Sequence, residues 1–372
     1  MANRPDPVNR KSSPDRENHA PIRVMVVDDS LTVRTIFARM VADEGGMEVA
    51  GTFSSAERAI AKLEELPVDV ILLDLEMPGM GGLQALPKML ETAAKAQVLV
   101  VSSLTEEGAE HTLAALSMGA AETMLKPRTG GFDAVYRSAL LAKIRALGGK
   151  HRGAPQPGLA TTAPASPEQN TRPLPRRKTP ELVAIGASTG GIHAINLFLR
   201  SLPHNFELPI LITQHLPASF MPVLARQLEV ASARRTVVAE EGTEIRRGEI
   251  VIAPGNGHMI VKRRGESLYA MLDVEPASSG CMPSVDPMFT SVAQALKGHA
   301  IGVILSGMGR DGTEGAGALV GEGGAILAQD AASSAVWGMP GSIAKAGLAS
   351  AIEPPEKLAE LVVAAAGVAQ WK

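Results

Sequence analysis

The sequence predicts an α/β fold of two doubly wound parallel-sheet domains. Two observations carry it: short Val, Ile and Leu runs alternate with helix-period segments from Ile22 to Leu147, and the same rhythm resumes at Leu182 after a proline-rich interruption. At 372 residues with 45% hydrophobic composition, each domain can bury its own core.

Residues 1–20 are polar, rich in charge, Asn, Ser and Pro, and are expected to form a disordered lead-in. In the domain expected over 21–148, Val24 to Val27 reads as a buried strand. Ser30 is placed to cap a helix in which Val33, Ile36, Phe37, Met40 and Val41 follow helical spacing. Four more βα units follow: Val49–Phe53 with Ala56–Leu66, Val70–Leu73 with Leu83–Glu91, Val98–Val101 with Gly108–Ser117, and Glu122–Leu125 with Phe132–Leu147. Residues 149–179 carry six prolines and end in Arg176, Arg177 and Lys178, which predicts an extended basic linker. The domain expected over 180–372 has strand candidates at Leu182–Ile185, Ile210–Thr213, Glu249–Ile252, Ile301–Leu305 and Ala325–Ala328.

Composition excludes several classes. A net charge of −3 without a concentrated basic domain argues against nucleic acid as a partner. The N-terminus has no apolar signal core and no run reaches membrane-span length, so a cytoplasmic protein without membrane insertion is expected. One cysteine, Cys281, rules out an internal disulfide; with no helix start or charged motif around it, it reads as an inert thiol.

Asp28 and Asp29 end the first strand and Asp74 ends the third. Carboxyl ends of parallel strands face one crevice, so the three carboxylates would repel unless a hard cation, most economically Mg²⁺, sat among them. Either group alone is ordinary turn or cap chemistry. Ser102 and Lys126 end the fourth and fifth strands and add a hydroxyl and a cation suited to a phosphorylated carboxylate. In this combination residues 22–147 resemble a response-regulator receiver domain, whose fold is flavodoxin-like. The resemblance implies that Asp74 takes phosphate from a histidine kinase, that Asp28, Asp29, Asp74 and the Glu76 carbonyl bind Mg²⁺, that Ser102 is the switch hydroxyl, and that Lys126 pairs with the phosphoryl group. Gly81 and Thr123 depart from the family pattern, the second replacing the usual rotating Phe or Tyr.

In the second half Gly186-Ala-Ser188-Thr-Gly190 fits the strand-turn-helix nucleophile elbow. A phosphate-cradling loop is the alternative, but no Walker lysine follows the glycines. His215 and Asp311 end two further strands, so Asp311 can orient His215, His215 can take the Ser188 proton, and Ser188 can attack an ester carbonyl. The order Ser, His, Asp is not that of the α/β-hydrolases. His193, His204, His215 and His258 fit no short zinc spacing. His258, Asp286 and Asp330 read as turn or strand-end groups.

The segments around Ser188, Gln214-His215, Ile252–His258, Pro283–Phe289, Gly307–Gly312 and Ala328–Asp330, with Trp337-Gly-Met-Pro, resemble the catalytic domain of chemotaxis protein-glutamate methylesterases (CheB family), a Rossmann-like α/β domain. The resemblance implies that Ser188, His215 and Asp311 form the triad and that the Met308 backbone N–H serves the oxyanion. It implies no cofactor at this site. The substrate is expected to be a methylated chemoreceptor cytoplasmic domain, with methanol released and some glutamine deamidation, and the kinase one of a chemotaxis-type array. Met282 stands where many members carry a basic residue. A receiver docked over Ser188 and released by phosphorylation is the expected control; a catalytically silent binding module and a nucleotide-binding enzyme are the rivals.

Overall fold

The computed structural model describes residues 20–102, 106–127, 131–149, 171–172 and 179–367. The expected lead-in and nearly all of the expected linker lie outside the described residues.

The first sheet contains β1 (Ile22–Val27), β2 (Met47–Phe53), β3 (Val70–Asp74), β4 (Gln97–Ser102) and β5 (Glu122–Leu125) in the order β2-β1-β3-β4-β5. All pairs are parallel. Its helices are α1 (Leu31–Ala42), α2 (Ala56–Leu63), α3 (Gly81–Thr92), α4 (Glu106–Met118) and α5 (Ala134–Gly148). Ser30 caps α1 as expected, its hydroxyl accepting the Val33 N–H at 3.4 Å. β3 is buried along its whole length, which explains an unbroken apolar run where a half-exposed strand would alternate. Strand order reverses between β1 and β3, and the crevice at that reversal opens where Asp28 and Asp74 end their strands.

The second sheet runs β15 (Ala351–Glu353), β14 (Ala325–Gln329), β13 (Ala300–Ile304), β6 (Leu182–Ala187), β7 (Ile210–Gln214), β10 (Ile250–Ile252) and β8 (Thr236–Val238), all parallel. Chain order reverses at β6, so its carboxyl end, between β13 and β7, is the switch point. Helices α6 (Gly191–Arg200), α7 (Met221–Ser232), α8 (Val285–Leu296), α9 (Thr313–Gly321), α10 (Met339–Lys345) and α11 (Pro355–Ala365) cover it.

One feature departs from the expected architecture: β9 (Thr243–Ile245), β11 (His258–Arg264) and β12 (Ser267–Asp273) form a separate antiparallel sheet, β11-β12-β9. Its signal was the alternating Ser-Leu-Tyr-Ala-Met of β12, whose Leu268 and Ala270 are buried while their neighbours are partly exposed. Short β8 and β15 sit at the sheet edges, where little apolar pattern is needed.

The two α/β units pack together. α4 lies against α6 and α7. Ser117 of α4 contributes its carbonyl to His193 (3.0 Å) and its hydroxyl to Asn196 (3.1 Å) and Gln227 (3.3 Å). Apolar contact is continuous, since Val336 packs into the same core cluster as Val24, Leu72 and Met124. Among the described residues no helix is long and apolar enough to cross a membrane.

Candidate active site and phosphoacceptor pocket

At the first switch point the Lys126 ammonium joins two carboxylates, 2.8 Å from Asp28 and 2.6 Å from Asp74. Asp28, Asp29 and Asp74 each offer an oxygen within 4.8 Å of the others. Asp28 and Asp74 are buried, Asp29 exposed. Burial drives the Asp74 carboxyl up to about 6, against the Lys126 bond and with the Asp28 charge. Three carboxylates share one ammonium, so negative charge is left over among crowded oxygen donors, and Mg²⁺ fits this set. The Glu76 N–H donates to Asp74 Oδ1 at 3.1 Å, which places the Glu76 backbone at the pocket rim. Gly82 must lack a side chain, because a Cβ there would lie 2.0 Å from the Asp74 carbonyl oxygen.

Ser102, at the end of β4, is bonded toward α4. Its hydroxyl is paired with Thr112 Oγ1 of α4 at 2.7 Å, and Thr112 in turn donates to the Gly108 carbonyl at 2.6 Å. With the single Thr112 proton given to Gly108, Ser102 is the donor in the pair. Both side chains are buried, so the bond fixes the Ser102 hydroxyl to the helix that carries Ser117 across to α6. Thr112 was invisible as a site residue in the sequence, where it is one small polar residue on a helix. Thr123 Oγ1 is buried without a hydrogen-bond partner, in keeping with its place where a larger ring is usual.

At the second switch point the register sets the geometry. β6 and β7 pair Ala187 with Gln214, so Ser188 and His215 follow as neighbours at the strand ends. The His215 N–H donates to the Ala187 carbonyl at 3.2 Å, and Gln214 Nε2 donates to the Ser188 carbonyl at 3.0 Å. Gly190 has φ of 75°, and a Cβ there would meet Ala335 at 2.5 Å, so the turn that opens α6 behind the serine needs glycine. The Ser188 hydroxyl makes no hydrogen bond to another described residue. On the opposite side a Cβ at Gly307 would stand 2.9 Å from Ser188 Cβ; Met308 is next in the chain.

His215 Nε2 is 2.7 Å from Asp311 Oδ2, which leaves Nδ1 as the ring nitrogen not bonded to that carboxylate. Asp311 is buried and well bonded: it accepts from Ser284 Oγ (2.7 Å), Val285 N (2.8 Å) and Gly312 N (3.0 Å). Burial alone would raise its pKa, but His215, Ser284 and the α8 N-terminal N–H groups together hold it below the usual carboxylate range. For His215 burial works against the charged ring, yet the Asp311 bond and neighbouring Cys281 outweigh it and lift the ring to about 9. His258, fully buried, takes the Ser284 N–H at 2.9 Å and bonds the Glu275 carbonyl at 2.9 Å, so it braces the residue that braces Asp311. Asp286, raised to about 6 by burial, ties α8 to α9 through Gly315 N at 2.8 Å. Asp330 stays outside, bonding Ser333 and Ser334.

Two residues acquire a place that sequence reading did not give them. Glu122, at the start of β5, accepts from Thr189 Oγ1 and pairs with Lys143 at 3.1 Å, while the Gly190 N–H donates to the Ala121 carbonyl. The receiver-type unit therefore grips the two residues that follow Ser188. Cys281, read as an inert thiol, brings its Sγ within 4.8 Å of a His215 ring nitrogen and an Asp311 carboxylate oxygen. Its loop returns to the strand ends only through the tertiary fold.

A carboxylate and lysine pocket on one sheet, and Ser188, His215 and Asp311 gathered at the switch point of the next, define the class, a receiver-type unit joined to a hydrolase-type α/β unit. Comparison with known proteins agrees. Residues 24–131 match the response regulator receiver domain and 183–362 the CheB methylesterase domain. A Paramagnetospirillum magneticum protein-glutamate methylesterase/protein-glutamine glutaminase is 40% identical over 365 residues, covering 92% of this chain and 95% of the relative. A Caulobacter vibrioides relative of the same description is 42% identical over 355 residues, covering 93% and 99%. The Thermotoga maritima CheB methylesterase catalytic domain aligns with a TM-score of 0.49 and 35% identity, covering 50% of this chain and 98% of that one. The chain belongs to the CheB family of protein-glutamate methylesterases/protein-glutamine glutaminases.

Proposed function

We propose that this protein is a phosphorylation-activated serine esterase that hydrolyses glutamate methyl esters on a chemoreceptor cytoplasmic domain, releasing methanol, with glutamine deamidation as a second activity. The observation that carries it is the convergence of Ser188, His215 and Asp311 at adjacent strand ends, with His215 held by a buried, multiply bonded carboxylate. His215 takes the Ser188 proton as the hydroxyl oxygen attacks the ester carbonyl. It returns that proton to the methoxide leaving group, and water then cleaves the acyl-enzyme by the same route. The Met308 N–H is the oxyanion donor in this reading.

Residues 21–148 act as the receiver, taking phosphate on Asp74 from a histidine kinase of a chemotaxis-type array, in the cytoplasm. Mg²⁺ would be held by Asp28, Asp29, Asp74 and the Glu76 carbonyl and would neutralise the transferring phosphoryl group; Lys126 and Ser102 would meet its oxygens. Residues 180–372 act as the esterase, and the 149–179 segment joins the two. The Glu122–Thr189 and Ala121–Gly190 bonds support a resting state in which the receiver restrains the nucleophile turn.

The test is methanol release from methylated receptor membranes with and without a small phosphodonor and Mg²⁺. Release that is raised by phosphodonor and abolished in Ser188→Ala is expected. Release that survives Ser188→Ala, or none from a matched receptor, would overturn the reading.

A further inference from the structure

We propose that His215, Cys281 and Asp311 form an inhibitory binding site for a soft or borderline divalent cation such as Zn²⁺ or Cd²⁺. A ring nitrogen, the Cys281 Sγ and a carboxylate oxygen lie within 4.8 Å of one another at the mouth of the second switch point. Tetrahedral zinc, with bonds of about 2.0–2.3 Å, sets its ligand atoms roughly 3.3–3.8 Å apart. The contraction required is about an ångström. Cys281 can supply it, because it sits in the 274–284 segment between β12 and α8, which contains no helix or strand. The His215–Asp311 contact of 2.7 Å would open by about 0.6 Å as the cation replaced the shared proton.

The donor set decides which cation. One nitrogen, one sulfur and one oxygen favour zinc-like ions, whereas the all-oxygen Asp28, Asp29 and Asp74 cluster favours Mg²⁺. Three protein donors leave the fourth position to water, the open pattern rather than the closed four-ligand pattern of structural zinc. Binding releases the thiol proton and the ring proton to solvent. It also occupies the histidine that must accept the Ser188 proton, so a bound cation stops turnover without touching the receiver. The inhibitory part rests on the esterase reading; the binding part does not.

Cys281 is the sole cysteine of the chain, so a thiolate-to-metal absorption band reports this thiol and no other. The full-length protein, with Mg²⁺ saturating the receiver, would be titrated with Cd²⁺ and the ultraviolet charge-transfer band recorded. The band should saturate at one equivalent, vanish in Cys281→Ser, and need at least tenfold more Cd²⁺ in His215→Ala. In parallel, Zn²⁺ should suppress methanol release by the parent, a chelator should restore it, and Cys281→Ser should release methanol while resisting Zn²⁺ at least tenfold better. No band, an unchanged band in His215→Ala, or equal Zn²⁺ sensitivity of parent and Cys281→Ser overturns the site. Absence of methanol release under every condition, with the band intact, would sink the esterase reading and leave the cation site standing.

Discussion

Replacing Glu122 by alanine isolates the grip of the receiver on the nucleophile turn. The carboxylate, only 14% exposed, accepts from Thr189 Oγ1 and is 3.1 Å from Lys143 of its own unit. A hydrogen bond to a charged group contributes about 1.5–3 kcal/mol, and the lower value applies here because water can partly replace the bond at the rim of the interface. At about 1.4 kcal/mol per tenfold, the docked form loses roughly a factor of ten. The unphosphorylated rate of methanol release should rise by up to that factor, capped at the phosphorylated rate, and stimulation by phosphodonor should shrink to match. The phosphorylated rate should stay within about twofold, since Glu122 contacts no member of the Ser188, His215 and Asp311 set. Glu122→Gln, which keeps an acceptor for Thr189 but loses the charge, should fall between. An unchanged basal rate with undiminished stimulation in Glu122→Ala would show that docking does not restrain the serine through this contact.

Asp74→Asn should abolish phosphodonor stimulation while retaining basal methanol release. Thr112→Val removes two hydrogen bonds, one of them to the Gly108 carbonyl within α4; the other, to Ser102, is worth about 0.5–1.5 kcal/mol to the resting state, so half-maximal activation should need roughly 2- to 12-fold less phosphodonor. Because the His215 ring is lifted from 6.5 to about 9, it stays protonated to higher pH than a free imidazole, and the base form grows only as pH rises. kcat/KM should therefore climb with pH on a limb well above 6.5, and Asp311→Asn should move that limb down while lowering the rate. Asp74, raised to about 6, loses its charge as pH falls through that value, so calorimetric Mg²⁺ affinity should drop about tenfold per unit below it.

Much of this protein was legible in its sequence because parallel strands leave a strong local trace. Buried runs such as Val70–Asp74 stay apolar on both faces, and whatever polar residue ends them must emerge at the carboxyl edge. Asp28, Asp74, Ser188 and His215 were therefore placed by their positions after such runs, and the Ser30 cap by its spacing from Val33. The antiparallel β11-β12-β9 sheet left a weaker trace, since strands with one face exposed mix apolar and polar residues rather than forming an unbroken apolar run.

What only the tertiary structure decided are the contacts between residues far apart in the chain. Ser102 turns toward Thr112 because α4 packs over β4, Glu122 reaches Thr189 because β5 faces the second unit, and Cys281 reaches His215 because α8 begins beside Asp311. Thr112, Glu122 and Cys281 are ordinary residues by local pattern. Periodicity and turn chemistry report the face a residue lies on, while the partner it meets there depends on how two separately folded units close on one another.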